Sequence, residues 1–159
     1  MSTLLEDITS RDPARVWSSS CAIIKLRDAA ELARLAAHLP EIERSTRDLA
    51  LGGALFPNVE HLRFTLRKLA YHQQSMGCLC RLYPEYLLFN PRQEAEAGNV
   101  RIDDVTYVEG RWVDAYVCTC TACGARYRVE EREYHYTWWG WTALAPEPLQ
   151  PTTRDRAPA

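Results

Sequence analysis

Val117-Cys118-Thr119-Cys120-Thr121-Ala122-Cys123-Gly124 sets three cysteines within six residues, between two runs that alternate apolar and polar side chains. Two residues between Cys120 and Cys123 let a tight turn aim both sulfurs at one ion, at metal–sulfur distances of about 2.3 Å. Gly124 suits that turn, because the amides that follow must swing back toward the sulfurs. Upstream, Gly77-Cys78-Leu79-Cys80 supplies a second close pair on a shorter bend. Cys78, Cys80, Cys120 and Cys123 are therefore expected to meet as four ligands of one tetrahedral metal site. Cys118 is the alternate ligand, since it shares a strand face with Cys120 and could replace Cys80.

Two other readings fit the same thiols: burial in a sheet core, or an intracellular redox pair. A redox Cys-x-x-Cys precedes a helix in a βαβ setting. Here Arg126-Tyr127-Arg128-Val129-Glu130 follows and looks like a strand, which favours a metal-binding knuckle. Four protein ligands would make the site closed, hence structural and not catalytic.

From Gly77 onward the apolar period is near two. Strands are expected over Tyr83–Phe89, Val100–Val108 and Arg111–Thr119, with a last strand or strand pair from Arg126 to Thr142. Glu109-Gly110 is a hairpin turn. Strand alternation sets Val113, Ala115 and Val117 on one face and Trp112, Asp114 and Tyr116 on the other. In the aromatic run Tyr134-His135-Tyr136-Thr137-Trp138-Trp139-Gly140-Trp141 it separates Tyr134, Tyr136 and Trp138 from His135, Trp139 and Trp141. One aromatic face is expected to be a partner surface, drawn from Trp112, Tyr116, Tyr134, Tyr136, Trp138, Trp139 and Trp141.

The first half carries a period near 3.6. Asp28-Ala29-Ala30-Glu31 is a capping box, and Leu32, Leu35, Ala36 and Leu39 follow as one stripe. Pro40 opens a second helix over Glu41–Leu51, ended by Gly52-Gly53. Asn58 caps a third, Val59–Gln74. Asp12-Pro13 starts a single turn, and Val16–Leu26 is a strand or an irregular segment around the buried Cys21. The expected fold is α+β: N-terminal helices (1–76) packed on a C-terminal antiparallel sheet of about four strands with a cysteine-clamped hairpin (77–144). Together they form one compact domain, and residues 145–159, with four prolines, form a disordered tail.

A formal net charge of −2 gives no global positive field for nucleic acid or anionic membranes. The first 76 residues hold ten basic and nine acidic side chains, the remainder nine and twelve. The acids Asp103, Asp104, Glu109, Asp114, Glu130, Glu131 and Glu133 would suit a basic partner. Arg111, Arg126, Arg128 and Arg132 are the alternative, a nucleic-acid surface. Only Lys25 and Lys68 among nineteen basic residues are lysine, a bias that points to a GC-rich bacterial source. No secretory leader pattern and no long apolar run is present, so a cytoplasmic location is expected. His61 and His72 sit about 16 Å apart on their helix, too far to share an ion. The zinc-deaminase, zinc-protease and phosphate-loop signatures are all absent, so no catalytic constellation is expected.

With these cysteine pairs and strands, residues 77–143 resemble zinc-ribbon modules, in which knuckles at hairpin turns grip one zinc. Cys120-x-x-Cys123-Gly124 carries the resemblance; the one-residue spacing of Cys78 and Cys80 departs from it. The resemblance implies a structural zinc ion and a non-enzymatic role. In general character the chain is also similar to small bacterial immunity proteins, which implies protein–protein interaction with a toxin.

Overall fold

A computed structural model describes residues 2–146. Five α-helices come first: α1 (Leu4–Ile8), α2 (Pro13–Lys25), α3 (Ala29–Ala37), α4 (Leu39–Thr46) and α5 (Asn58–Gln73). A 3-10 helix (Leu79–Glu85) and a short α6 (Pro91–Glu96) lead into four strands: β1 (Val100–Val108), β2 (Trp112–Cys120), β3 (Arg126–Glu133) and β4 (Thr137–Ala143). The strands form one antiparallel sheet in the order β1-β2-β3-β4. The fold is α+β, as the change of period predicts. Of the tail expected over 145–159, residues 147–159 lie outside the described residues.

The caps follow local chemistry. The Asp28 carboxylate accepts from the Glu31 N–H at 2.7 Å and starts α3. Asp12 does the same for α2, accepting from the Arg15 N–H at 2.9 Å with Pro13 next in line. That helix runs for thirteen residues, not one turn, and replaces the strand or irregular segment expected over Val16–Leu26. Val16, Ser19, Ser20, Ile23 and Ile24 are its buried face. Ser19 and Ser20 donate to carbonyls one turn back, Arg15 at 2.8 Å and Val16 at 2.7 Å, so polar side chains occupy a buried stripe without orphaned hydroxyls. Two boundaries also move. The second helix ends at Thr46 and not Leu51, and α5 is entered from Pro57, with Asn58 inside it donating to the Leu51 carbonyl at 2.9 Å.

The strand expected over Tyr83–Phe89 is not formed. The chain winds as a 3-10 helix to Glu85, with Pro84 inside it, and then extends. Tyr83, Tyr86 and Phe89 recur every three residues and are all buried. Tyr83 lies inside the helix, where a three-residue repeat puts it on the same side as the buried Cys80; Tyr86 and Phe89 follow beyond its end. β1 occupies the residues expected of it, and Glu109 and Gly110, both with positive φ, are the central residues of a turn in which the Arg111 N–H donates to the Val108 carbonyl at 3.1 Å, joining β1 to β2.

Two apolar clusters result. Ile8, Val16, Ile23, Leu32, Leu35, Ile42 and Leu69 form an aliphatic core among α1–α5. Phe64, Tyr71, Tyr83, Tyr86, Phe89, Tyr116, Tyr127, Val129 and Trp141 form an aromatic core on the inner sheet face. Helix α5 divides them, since Leu62 and Leu69 belong to the first and Phe64 and Tyr71 to the second. No helix among the described residues is long and apolar enough to cross a membrane.

Candidate metal centre

The 3-10 helix and the β2–β3 turn bring the cysteines together. Cys78 is the residue before the first helical position, with extended backbone (φ −65°, ψ 135°), and Cys80 lies one residue inside. Cys120 ends β2, and Cys123 follows in a turn closed by the Gly124 N–H donating to the Cys120 carbonyl at 2.9 Å. The Cys120 N–H donates to the Ala125 carbonyl at 2.8 Å across the same turn. Gly124 carries φ +75°, where a side chain would be strained. Thr121 pins the turn to the entry of β1, its hydroxyl donating to the Gly98 and Asn99 carbonyls at 2.7 and 3.0 Å.

The sulfurs of Cys78, Cys80, Cys120 and Cys123 all lie within 4.8 Å of one another. Cys78 Sγ stands 3.7 Å from Cys120 Sγ, and Cys80 Sγ stands 3.4 Å from Cys123 Sγ. A disulfide needs about 2.0 Å, and all six cysteines are free thiols. Four sulfurs about 2.3 Å from one tetrahedral centre are ~3.8 Å apart along each edge. The two measured separations fall close to that edge, so the donor set fits a metal ion. Cys118 is fully buried on the same strand face but outside the group of four; it packs in the aromatic core, where burial, aided by Asp103, pushes its thiol up to about 12.

Polar groups already face the sulfurs. The backbone at Cys80 favours the thiolate of Cys78, and the backbone at Ala125 favours that of Cys123. The Tyr127 hydroxyl donates to Cys80 Sγ at 3.3 Å. Burial pushes the Cys78 and Cys80 thiols up. It pushes on Cys123 too, but the Ala125 backbone and the neighbouring thiols outweigh it and hold that thiol below its ordinary value. Cys80 and Cys120 are buried, Cys78 is half-buried and Cys123 is exposed; four thiolates this close would need a positive charge among them, which a metal ion could supply. The spacing of the cysteines announces the cluster, but Tyr127 carries no such signal. It becomes legible only once the turn sets the parity of β3.

The aromatic residues proposed as one partner surface divide among three environments. Tyr116 and Trp141 are core side chains, 1% and 4% exposed, and correct the expectation that they face a partner. Tyr116 donates to Glu131 at 2.8 Å and Trp141 Nε1 donates to the Phe89 carbonyl at 2.9 Å. Tyr136, Trp138 and Trp139 are half-buried. Trp112 and Tyr134 stand out at 66% and 80% exposure. Tyr134 falls between β3 and β4, so the continuous alternation expected through the aromatic run is broken by a turn. Of the four arginines considered for nucleic acid, Arg128 and Arg132 pair with Asp114 at 3.2 and 3.1 Å and with Glu130 at 3.8 and 3.5 Å.

No family model, curated protein or solved structure gives a significant match to this chain. The likeness to zinc ribbons therefore rests on the cysteine cluster itself.

Proposed function

We propose that the chain is a non-enzymatic protein-binding protein whose sheet is fixed by a structural zinc ion held by Cys78, Cys80, Cys120 and Cys123. The observation that carries the metal reading is the convergence of four sulfurs within 4.8 Å from segments about forty residues apart. A set of four thiolates suits zinc or iron, and a closed four-ligand zinc site contributes its binding free energy to folding. The ion would tie the 3-10 helix to the β2–β3 turn and so fix the sheet against the rest of the fold. The binding role draws on exposed aromatic side chains at one end of that sheet. Neutralisation of a basic toxin is the biological form of this reading.

Elemental analysis of untagged protein tests the metal, with one zinc per chain expected and stoichiometric iron or no metal contradicting it. Purification from the native host tests the role, with a stoichiometric protein partner expected. Repeated isolation of the chain alone would count against it.

A further inference from the structure

The end of the sheet opposite the cysteines carries the most exposed aromatic side chains in the fold. Tyr107, Val108 and Trp112 flank the β1–β2 turn at 55%, 48% and 66% exposure, and Tyr134 caps the β3–β4 turn at 80%. The start of β2 lies beside the end of β3, and between them opens a cleft of about 400 Å³. Val108, Trp112 and Val113 form its apolar wall, while Asp114, Glu131 and Glu133 bring three carboxylates against one guanidinium, Arg132.

That guanidinium is already engaged. Arg132 donates to the Asp114 carboxylate and carbonyl at 3.1 and 3.0 Å and pairs with Glu130 at 3.5 Å. Glu131 accepts from Tyr116 and Trp139 at 2.8 and 3.0 Å. The Glu133 carboxylate has no hydrogen bond or ion pair among the described residues, so its charge remains directed at the cleft. On the turn beyond, Glu109 and Arg111 offset one another. The cleft thus combines a solvent-facing indole, a short aliphatic wall and a net negative rim.

We propose that this cleft docks an arginine side chain of a partner protein, its stem along Val108, its guanidinium over the Trp112 ring and its fork on Glu133. Arginine matches each wall: the planar cation stacks on an indole face, and its paired N–H groups fit a carboxylate. The docking surface takes its occupant through charge complementarity, and exposed aromatic anchors of this kind dominate binding energy at protein interfaces. It rests on the reading that the protein acts by binding another protein, and it does not depend on the metal.

The test is a titration of the full chain, followed by ¹H–¹⁵N NMR, with blocked Gly-Arg-Gly and with its isosteric, uncharged citrulline counterpart. Saturable shifts are expected at the Trp112 indole and the Glu133 amide with the arginine peptide and not with citrulline. Trp112→Ser and Glu133→Gln should each weaken binding by about fivefold or more, with melting temperatures unchanged because both side chains act at the surface. Equal response to citrulline, shifts confined to other sites, or full affinity in both variants would overturn the proposal. So would a concentration-dependent dimer abolished by Trp112→Ser, which would make the cleft a contact between copies of this chain. Zinc measured on the same sample separates the two ideas. Binding without zinc sinks the metal clamp alone, and zinc without binding sinks the arginine cleft alone.

Discussion

The two cores are built from different materials. The helical one is aliphatic and closes with Ile, Leu and Val from five helices. The sheet core is aromatic and thiol-bearing, and most of its large side chains keep a polar end that must find a partner. Trp141, Tyr116 and Tyr127 each donate to a named acceptor. Aliphatic packing is non-directional and tolerates small shifts, whereas a hydrogen-bonded aromatic core requires its elements to be held in register. The cysteine cluster lies where that restraint is needed, between the segment covering the sheet and the turn joining its central strands.

Metal removal should break the symmetry between the cores most strongly. Chelation, or Cys120→Ser, is expected to lower the melting temperature by about 10 °C or more, the equivalent of roughly 3 kcal/mol for a chain of this size. Hydrogen exchange should locate the loss in β2, β3 and the 3-10 helix while α2 and α5 keep their protection. Uniform loss across both halves would show that the cores are not separable.

Next in size is Lys68, the one charged side chain buried in α5. Its amine donates to the carbonyls of Ile23, Ile24 and Leu26, capping the end of α2 at 2.9, 2.9 and 2.5 Å. Lys68→Met would remove this donor from the Ile24 and Leu26 carbonyls, while the Ile23 carbonyl keeps the Leu26 N–H at 3.1 Å, and is expected to cost about 2–4 kcal/mol by denaturant titration. Loss of water, followed by the nearby Arg27 charge, pulls this amine down to about 7 from 10.5. Between those values the unfolded chain holds the proton and the folded chain does not, so wild-type stability should rise with pH relative to Lys68→Met. A flat difference from pH 7 to 10 would contradict the burial account.

Two smaller substitutions sharpen the boundary of the cluster. Cys118→Ala should cost about 1 kcal/mol of packing and leave the zinc content at one per chain, because Cys118 lies outside the four. A fall in zinc would place it among the ligands. Tyr127→Phe removes the hydroxyl on Cys80 and should cost about 1 kcal/mol, with zinc retained but released faster to a chelator. Release at the wild-type rate would leave that hydroxyl no role at the metal.

Much of this architecture is legible in the chain. β1 was readable in full because turn residues bound an alternating run, and α3 because Asp28 and Glu31 frame a clean stripe. Helix α2 is obscured because Ser19 and Ser20 fill buried positions where an apolar residue would reveal the period. The 3-10 helix is obscured because a three-residue repeat of tyrosines and phenylalanine next to Pro84 passes for alternation. The convergence of the four cysteines was legible from spacing. Which aromatic residues face outward was not, since two one-residue register shifts on β1 and β2 and the break at Tyr134 alter the parity of the sheet.

The central claim is that four sulfurs share one ion, and X-ray absorption at the zinc edge addresses it most directly. A first shell of four sulfurs at about 2.3 Å is the result predicted for the untagged protein. A shell containing nitrogen or oxygen, or a protein that binds no zinc, would contradict it.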